Sequence, residues 1–336
     1  MRDVTSTGPT PSRRLVTAGA IGAAIAVLTG CGIRLEDDAP RVPLVPTRSP
    51  IEGEGALLRL LAALQAAGLA TVDPKAPISA LLAPLHQRQA TVLHDALRQR
   101  GVPQDELPSA TPSPSTSTSP TPVPSTSGTP SPAPSSSAVP VAPGTVATVE
   151  GSIITAGAGT SAAEKELRPT LLAVLGQAHA ALELATGKPS AAPAPAPTWS
   201  APQALAPLIA TARAAGYFLE VAAARSPQAA RKAALESIAS LDRLTAELVA
   251  AAGDAAPVPE LGQPLPHPVT TPAEAKALAT QAMTMLLSSF GSNLRGLSDT
   301  DADADATFAM VPRWMGTVAA QAHRHGIPLT AFPGLA

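Results

Sequence analysis

Apolar positions recur along this chain at spacings of three and four, the period of a helix face, and nowhere alternate over a run long enough for a strand. Residues 54–70 carry Leu57, Leu58, Leu60, Leu61 and Leu64. Residues 77–100 carry Ile78, Leu81, Leu82, Leu85, Leu93 and Leu97, and Gly101 then supplies a stop. Together they predict a short antiparallel helical pair over residues 53–102. Further on, Ser161 stands three residues ahead of Glu164, the spacing of a capping box. It predicts a helix over residues 160–188 with Leu167, Leu171, Leu172, Leu175 and Leu182, packing with the helices that follow.

Residues 200–336 hold the most regular stripes. Ser200 to Gln203 predicts the cap of a helix carrying Leu205, Leu208, Ile209, Ala212, Ala215 and Leu219. Ser226 before Pro227 reads as a cap residue followed by a first-turn proline, leading to Leu235, Ile238, Leu241, Leu244 and Leu248. Thr271, Pro272 and Glu274 combine a capping box with an N1 proline, the strongest helix start in the chain. A last helix is expected from the Asp299–Asp305 region to His325 and Gly326, with Pro312 kinking or breaking it. Four helices with this patterning predict an all-α, antiparallel four-helix bundle, and the abundance of alanine predicts close axes.

Proline-rich stretches separate these segments. From Leu107 to Val149 there is no charged or aromatic residue, and residues 103–150 read as a disordered Pro/Ser/Thr-rich linker. Such a segment favours extended polyproline II and suits O-glycosylation. A Pro/Ala linker over residues 189–199 and a Pro-rich tether over residues 31–52 repeat the theme.

The N-terminus carries an address. Residues 1–14 are polar and basic, with Arg2, Arg13 and Arg14 against Asp3, and residues 15–30 are apolar with small residues near their end. That is the pattern of a cleaved secretory signal, too short for the ~20 residues of a comfortable membrane span. Leu28, Thr29 and Gly30 precede Cys31, the only cysteine. The run reads as a lipoprotein signal over residues 1–30, with Cys31 becoming the acylated first residue. Arg13 and Arg14 also resemble a twin-arginine export signal, with Sec export as the alternative. The chain is then expected on the extracytoplasmic face of the membrane, held by its lipid.

Net charge sharpens the class. Without residues 1–30 the chain has 20 basic and 24 acidic side chains, a net charge of −4, which offers no footprint for nucleic acid. With Cys31 acylated no thiol is left for a disulfide, so the fold stands on its core alone.

Several stretches together carry a family resemblance: the ARAAGYF run around Tyr217, the PHPVTTPAEA helix start, the Arg313–Trp314 pair, the closing AFPGL, and CGIRLEDDAPRVPLVPTRSP after the signal. In these the chain is similar to actinobacterial lipoproteins carrying a ferritin-like domain of unknown function. The resemblance implies a ferritin-like four-helix bundle and no known activity. Family members often carry Glu and His just before the tyrosine segment; here Ile209 to Tyr217 has neither.

Candidate chemistry is sparse. A di-iron bundle site needs Glu-x-x-His on two helices and a Glu on each of the others, and no glutamate here has a histidine three positions on. Glu220 and Glu247 are single candidates, so no metal or other cofactor is expected. Asp299, Asp301, Asp303 and Asp305 alternate like the front of a calcium loop but lack its glycine and closing glutamate, and read instead as a helix N-terminus. His179 and Glu183 share a helix face and read as a surface contact, while His323 and His325 read as partners of a helix C-terminus. Tyr217, Phe218, Phe290, Phe308 and Trp314 read as core fillers. With no catalytic constellation, the expectation is a non-enzymatic, lipid-anchored helical module binding an envelope protein or cell-wall component. The alternative is a degenerate ferritin-like protein retaining ligand or metal binding.

Overall fold

The leucine stripes fold as helices, eight of them among the residues that the computed structural model describes, 48–70, 78–109 and 145–335, and those residues hold no strand. The all-α expectation is met. The export residues Arg13 and Arg14, the Leu28–Thr29–Gly30 run, Cys31, and the linker positions 110–144 lie outside the described residues.

Helices α1 (Glu54–Leu69) and α2 (Ser79–Gln99) form the expected pair, and Gly101 ends α2 in a left-handed conformation, φ 83°. A helix follows that the sequence reading assigned to linker: α3 (Val146–Ala156), capped by Thr145, whose hydroxyl accepts the Thr148 N–H at 3.1 Å. The linker reading also began too early, because Val102 and Leu107 are buried in the same core as α1 and α2.

Helix α4 (Arg168–Thr186) starts several residues later than expected. The Ser161–Glu164 capping box does not form. Ser161 donates to Asp305 at 2.7 Å and Glu164 accepts from Arg100 at 2.6 Å, while Pro169 in the first turn marks the true start. Helix α4 is apolar nearly all round, as a helix buried on two sides must be. Leu171, Val174, Leu175 and Ala178 face the core shared with α1–α3, and Leu172 and Ala173 face the bundle core. The described residues from Ser49 onward accordingly make one unit, with the helical pair and the bundle joined through α4.

The bundle proper is α5 (Ala206–Arg225), α6 (Gln228–Ala252), α7 (Pro272–Ser298) and α8 (Ala304–Arg324). Their directions follow from paired residues. Ser226–Pro227 turns α5 straight back into α6. Thr307 bonds the Leu297 carbonyl and Thr280 the His325 carbonyl, so α7 and α8 are antiparallel. Ser237 meets Gln321 while Glu247 meets Arg313, so α6 and α8 are antiparallel too. The order is up, down, down, up, with one long crossover over residues 253–271. By length and composition the segment 202–225 is apolar enough to cross a membrane, yet Leu208, Ile209, Ala212, Ala215 and Leu219 of this segment belong to the bundle core.

One of the expected starts is held from a distance. Neither Ser200 nor Ser226 caps its helix; the Ser200 and Ala201 N–H groups donate instead to the buried Asp303 carboxylate at 2.6 and 3.1 Å. The Thr271–Glu274 capping box does form, and its backbone N–H donors hold Glu274 down to about 2. Pro312 does not break α8, which runs on from Ala304 to Arg324. Helix α8 is buried from Met310 to Ala322, so packing holds the turn that proline deprives of a hydrogen bond.

Helix α4 packs along α8 with residue numbers rising together: Gly176 against Met315, Gly316 against His179, Glu183 against Gln321. The two run parallel. Their axes are held close by glycine, since a Cβ on Gly316 would lie 2.4 Å from that of His179.

Candidate functional site

Two buried polar clusters and one cleft hold the chemistry of the described residues. The first cluster joins α2, α3, α4 and the C-terminal tail. Gln89 donates through Nε2 to the Ala331 carbonyl at 2.7 Å and to Gln177 at 3.1 Å, so its Oε1 is left to accept from His86 Nδ1 at 3.0 Å. That fixes the proton on Nδ1, and His86 Nε2 meets Glu150 Oε1 at 3.0 Å. Both side chains are fully buried. Burial alone would lower His86, but the bonds and charge of Glu150, and the bond to Gln89, outweigh it and raise the histidine. Burial raises Glu150, with only partial relief from His86. The pair therefore holds a proton tightly between two helices.

The second cluster lies between α4, α6 and α8. Glu183 accepts from Thr317 and from Gln321, each at 2.9 Å, and burial raises its carboxyl against the pull of those partners and of Arg324 and Arg243. Ser237 donates to Gln321 at 3.0 Å, which leaves His325 Nε2 to donate to the serine oxygen. Glu183 is thus buried and bonded, not the surface contact that its spacing to His179 suggested.

The cleft opens where α6 and α8 separate, and the segment 189–199 passes over it. Arg313, 6% exposed, binds Glu247 with both terminal nitrogens, and Trp314 Nε1 donates to the same carboxylate at 2.8 Å. Trp199 stacks on Trp314 with ring centroids 6.1 Å apart and planes 15° off parallel. A polar recess of about 80 Å³ is lined by Ser190, Arg243, Glu247 and Arg313. An apolar groove of about 340 Å³, sharing Ala192 and Glu247 with it, runs along Pro197, Trp199, Ala251 and Met310. Apolar lining with a few convergent polar groups is the usual make-up of a small-molecule site.

Serine–histidine pairs occur, but neither is arranged as a nucleophile and base. Ser190 lies 2.7 Å from His179 Nδ1, yet burial, aided by the Arg313 charge, lowers His179 to about 4, and Glu183 below it is engaged elsewhere. Ser237 spends its hydrogen on Gln321. Among the described residues no group of three or more His, Cys, Asp and Glu converges as a metal would need. Glu220 is exposed, and Glu247 is occupied by Arg313 and Trp314. The aspartate run is distributed: Asp301 pairs with Lys165 and Arg168, Asp303 takes two backbone N–H groups, and Asp305 takes Ser161. Arg168 and Lys165 hold the Asp301 carboxyl below its usual range.

The aromatics divide. Phe218, Phe290 and Trp314 are buried in the bundle core, while Tyr217 and Phe308 pack at its edge. His325 serves as the C-cap of α8 and bonds Ser237; His323 lies half-buried two residues before it. Trp199 and Arg243 were not singled out from sequence. A lone aromatic inside a Pro/Ala stretch was the available signal for Trp199. Comparison with protein families, curated proteins and solved structures returns no match to this chain.

Proposed function

We propose that this chain is a lipid-anchored, non-enzymatic helical binding module on the outer face of the cell membrane, held there through acylated Cys31, with the cleft over α6 and α8 as its binding surface. The observation that carries the reading is the make-up of that cleft. Arginine and tryptophan side chains line a recess and an adjoining apolar groove, and the histidine beside them is a poor base at neutral pH. The target is an envelope component.

The bundle supports a ferritin-like reading of the C-terminal helices. Up, down, down, up with a single long crossover between the second and third helices is the connectivity of ferritin-like folds. In this reading leucine, alanine, methionine and aromatic side chains fill the bundle interior in place of metal ligands, with Glu183 of α4 bonded to Thr317 and Gln321 at its edge. No observation favours the metal-binding alternative.

Membrane fractionation of a Cys31→Ser variant tests the display on a lipid. The variant is expected to leave the membrane fraction almost completely, since the lipid is the anchor. A variant that stays membrane-bound through a carbonate wash contradicts the reading.

A further inference from the structure

We infer that the cleft over α6 and α8 binds a small amphiphile with a monoanionic carboxylate head and an apolar body, a proposal that rests on the binding-module reading above. The head lies at Arg243 and Arg313, and the body follows the groove past Trp199 and Met310. Three observations lead there.

Two nitrogen donors at the cleft are buried and make no hydrogen bond: Nε of Arg313 and Nε1 of Trp199. Arg313 is itself more than nine-tenths buried and lines the recess. Buried donors without acceptors are costly and uncommon in folded proteins. The Arg313 nitrogen at the recess lacks an oxygen acceptor with no hydrogen of its own to place. A carboxylate is such a group.

Charge then selects a monoanion. The recess is lined by two guanidinium groups and one carboxylate, Arg243 and Arg313 against Glu247, which leaves one positive charge to balance. His179 beside it is lowered to about 4 and adds none at neutral pH. A dianion would bring a second charge with no partner into a partly desolvated site.

The third observation is the covering segment. Residues 191–199 make no hydrogen bond to the other described residues; the segment is tied by Ser190 to His179 at one end and by Asp303 to Ser200 and Ala201 at the other. The Arg313 Nε is not open to solvent, so the head group reaches it by shifting the edge of this segment. Nothing but packing between its two ends resists that shift.

The two tryptophans of the chain, Trp199 and Trp314, both stand at this cleft, so intrinsic fluorescence reads it directly. The soluble full-length chain with Cys31→Ser is titrated with octanoate, octyl phosphate, octanol and acetate. Octanoate is expected to give a saturable change, with octyl phosphate weaker and octanol and acetate without effect at the same concentrations. Arg243→Gln, at an exposed position where the fold is retained, is expected to weaken octanoate about tenfold, the worth of one charge-assisted hydrogen bond. Trp199→Phe, read through Trp314, is expected to weaken it as well. Octanol binding as well as octanoate, octyl phosphate binding better, no response to octanoate, or an unchanged Arg243→Gln would each overturn the proposal. Such a failure leaves the lipid display of the chain, tested separately by fractionation, standing.

Discussion

Glu150→Ala is expected to destabilise the folded chain by about 3–5 kcal/mol, the usual cost of removing one partner from a fully buried charged pair. For a unit of this size that lowers the thermal midpoint by roughly 10 °C. The reason lies in the connectivity: Glu150 on α3 is the end of a chain of side chains running through His86 and Gln89 on α2 to Gln177 on α4 and the Ala331 carbonyl. Removing it leaves His86 Nε2 buried without a partner. By contrast Arg100→Gln, at a pair whose members are 21% and 33% exposed, is expected to cost under about 1 kcal/mol. The deficit also depends on pH. His86 is raised in the folded chain above its ordinary 6.5, so its contribution is complete below 6.5 and fades as pH rises through the folded value. Glu150 is likewise raised, and its share fades in the same direction. Urea unfolding should therefore show a larger difference between wild type and Glu150→Ala at pH 6 than at pH 9. An equal or growing difference with rising pH contradicts the assignment of the shared proton.

Gly316→Leu should be nearly as damaging, for a steric reason. The added Cβ would meet the His179 Cβ at 2.4 Å and the Ala180 backbone nitrogen at 3.0 Å. Backbone cannot swing aside as a side-chain tip can, so α4 and α8 must separate. Overpacking of this kind costs about 1–3 kcal/mol, and more where both partners are rigid. Because α4 is the wall shared by both cores, the loss is expected to lower the unfolding midpoint of the whole unit in one transition. Gly296→Ala makes a useful comparison. Gly296 lies on the exposed side of α7, and an added Cβ there meets nothing within 4 Å. The contrast predicted by circular dichroism is a large loss at 316 and none at 296. Equal losses would show that the α4–α8 contact is not the rigid one.

What the sequence disclosed and what it hid follow from how local each signal is. Thr271 and Glu274 meet within one turn, and their capping box was readable and formed. Ser161 and Glu164 have the same spacing, but distant Asp305 and Arg100 take those side chains, and nothing local announces this. Pro169 was the better marker of where α4 starts. Helix α3 escaped because residues 145–149 share the Ala, Val and Thr composition of the preceding linker; the end of the prolines after Pro143 and the arrival of Glu150, Ile153 and Ile154 separate the two. Leucine periodicity could place helices but not the polar interior. His86 meets Glu150 across 64 positions, Gln89 meets Ala331 across 242, and Arg313 meets Glu247 across 66. No spacing rule spans such separations, so the cleft and both buried networks emerge only with the fold.

The N-terminal residues carry the remaining weight of the account. In the proposed reading, Arg13 and Arg14, the Leu28–Thr29–Gly30 run and Cys31 are the residues that would display the helical module on the surface. The direct measurement is the intact mass of the protein extracted by detergent from its native membrane, with sequencing of its N-terminal fragment. The account predicts a chain beginning at Cys31, with residues 1–30 removed and the added mass of at least two acyl chains. A chain that retains Met1, or begins at Cys31 without acyl mass, contradicts it.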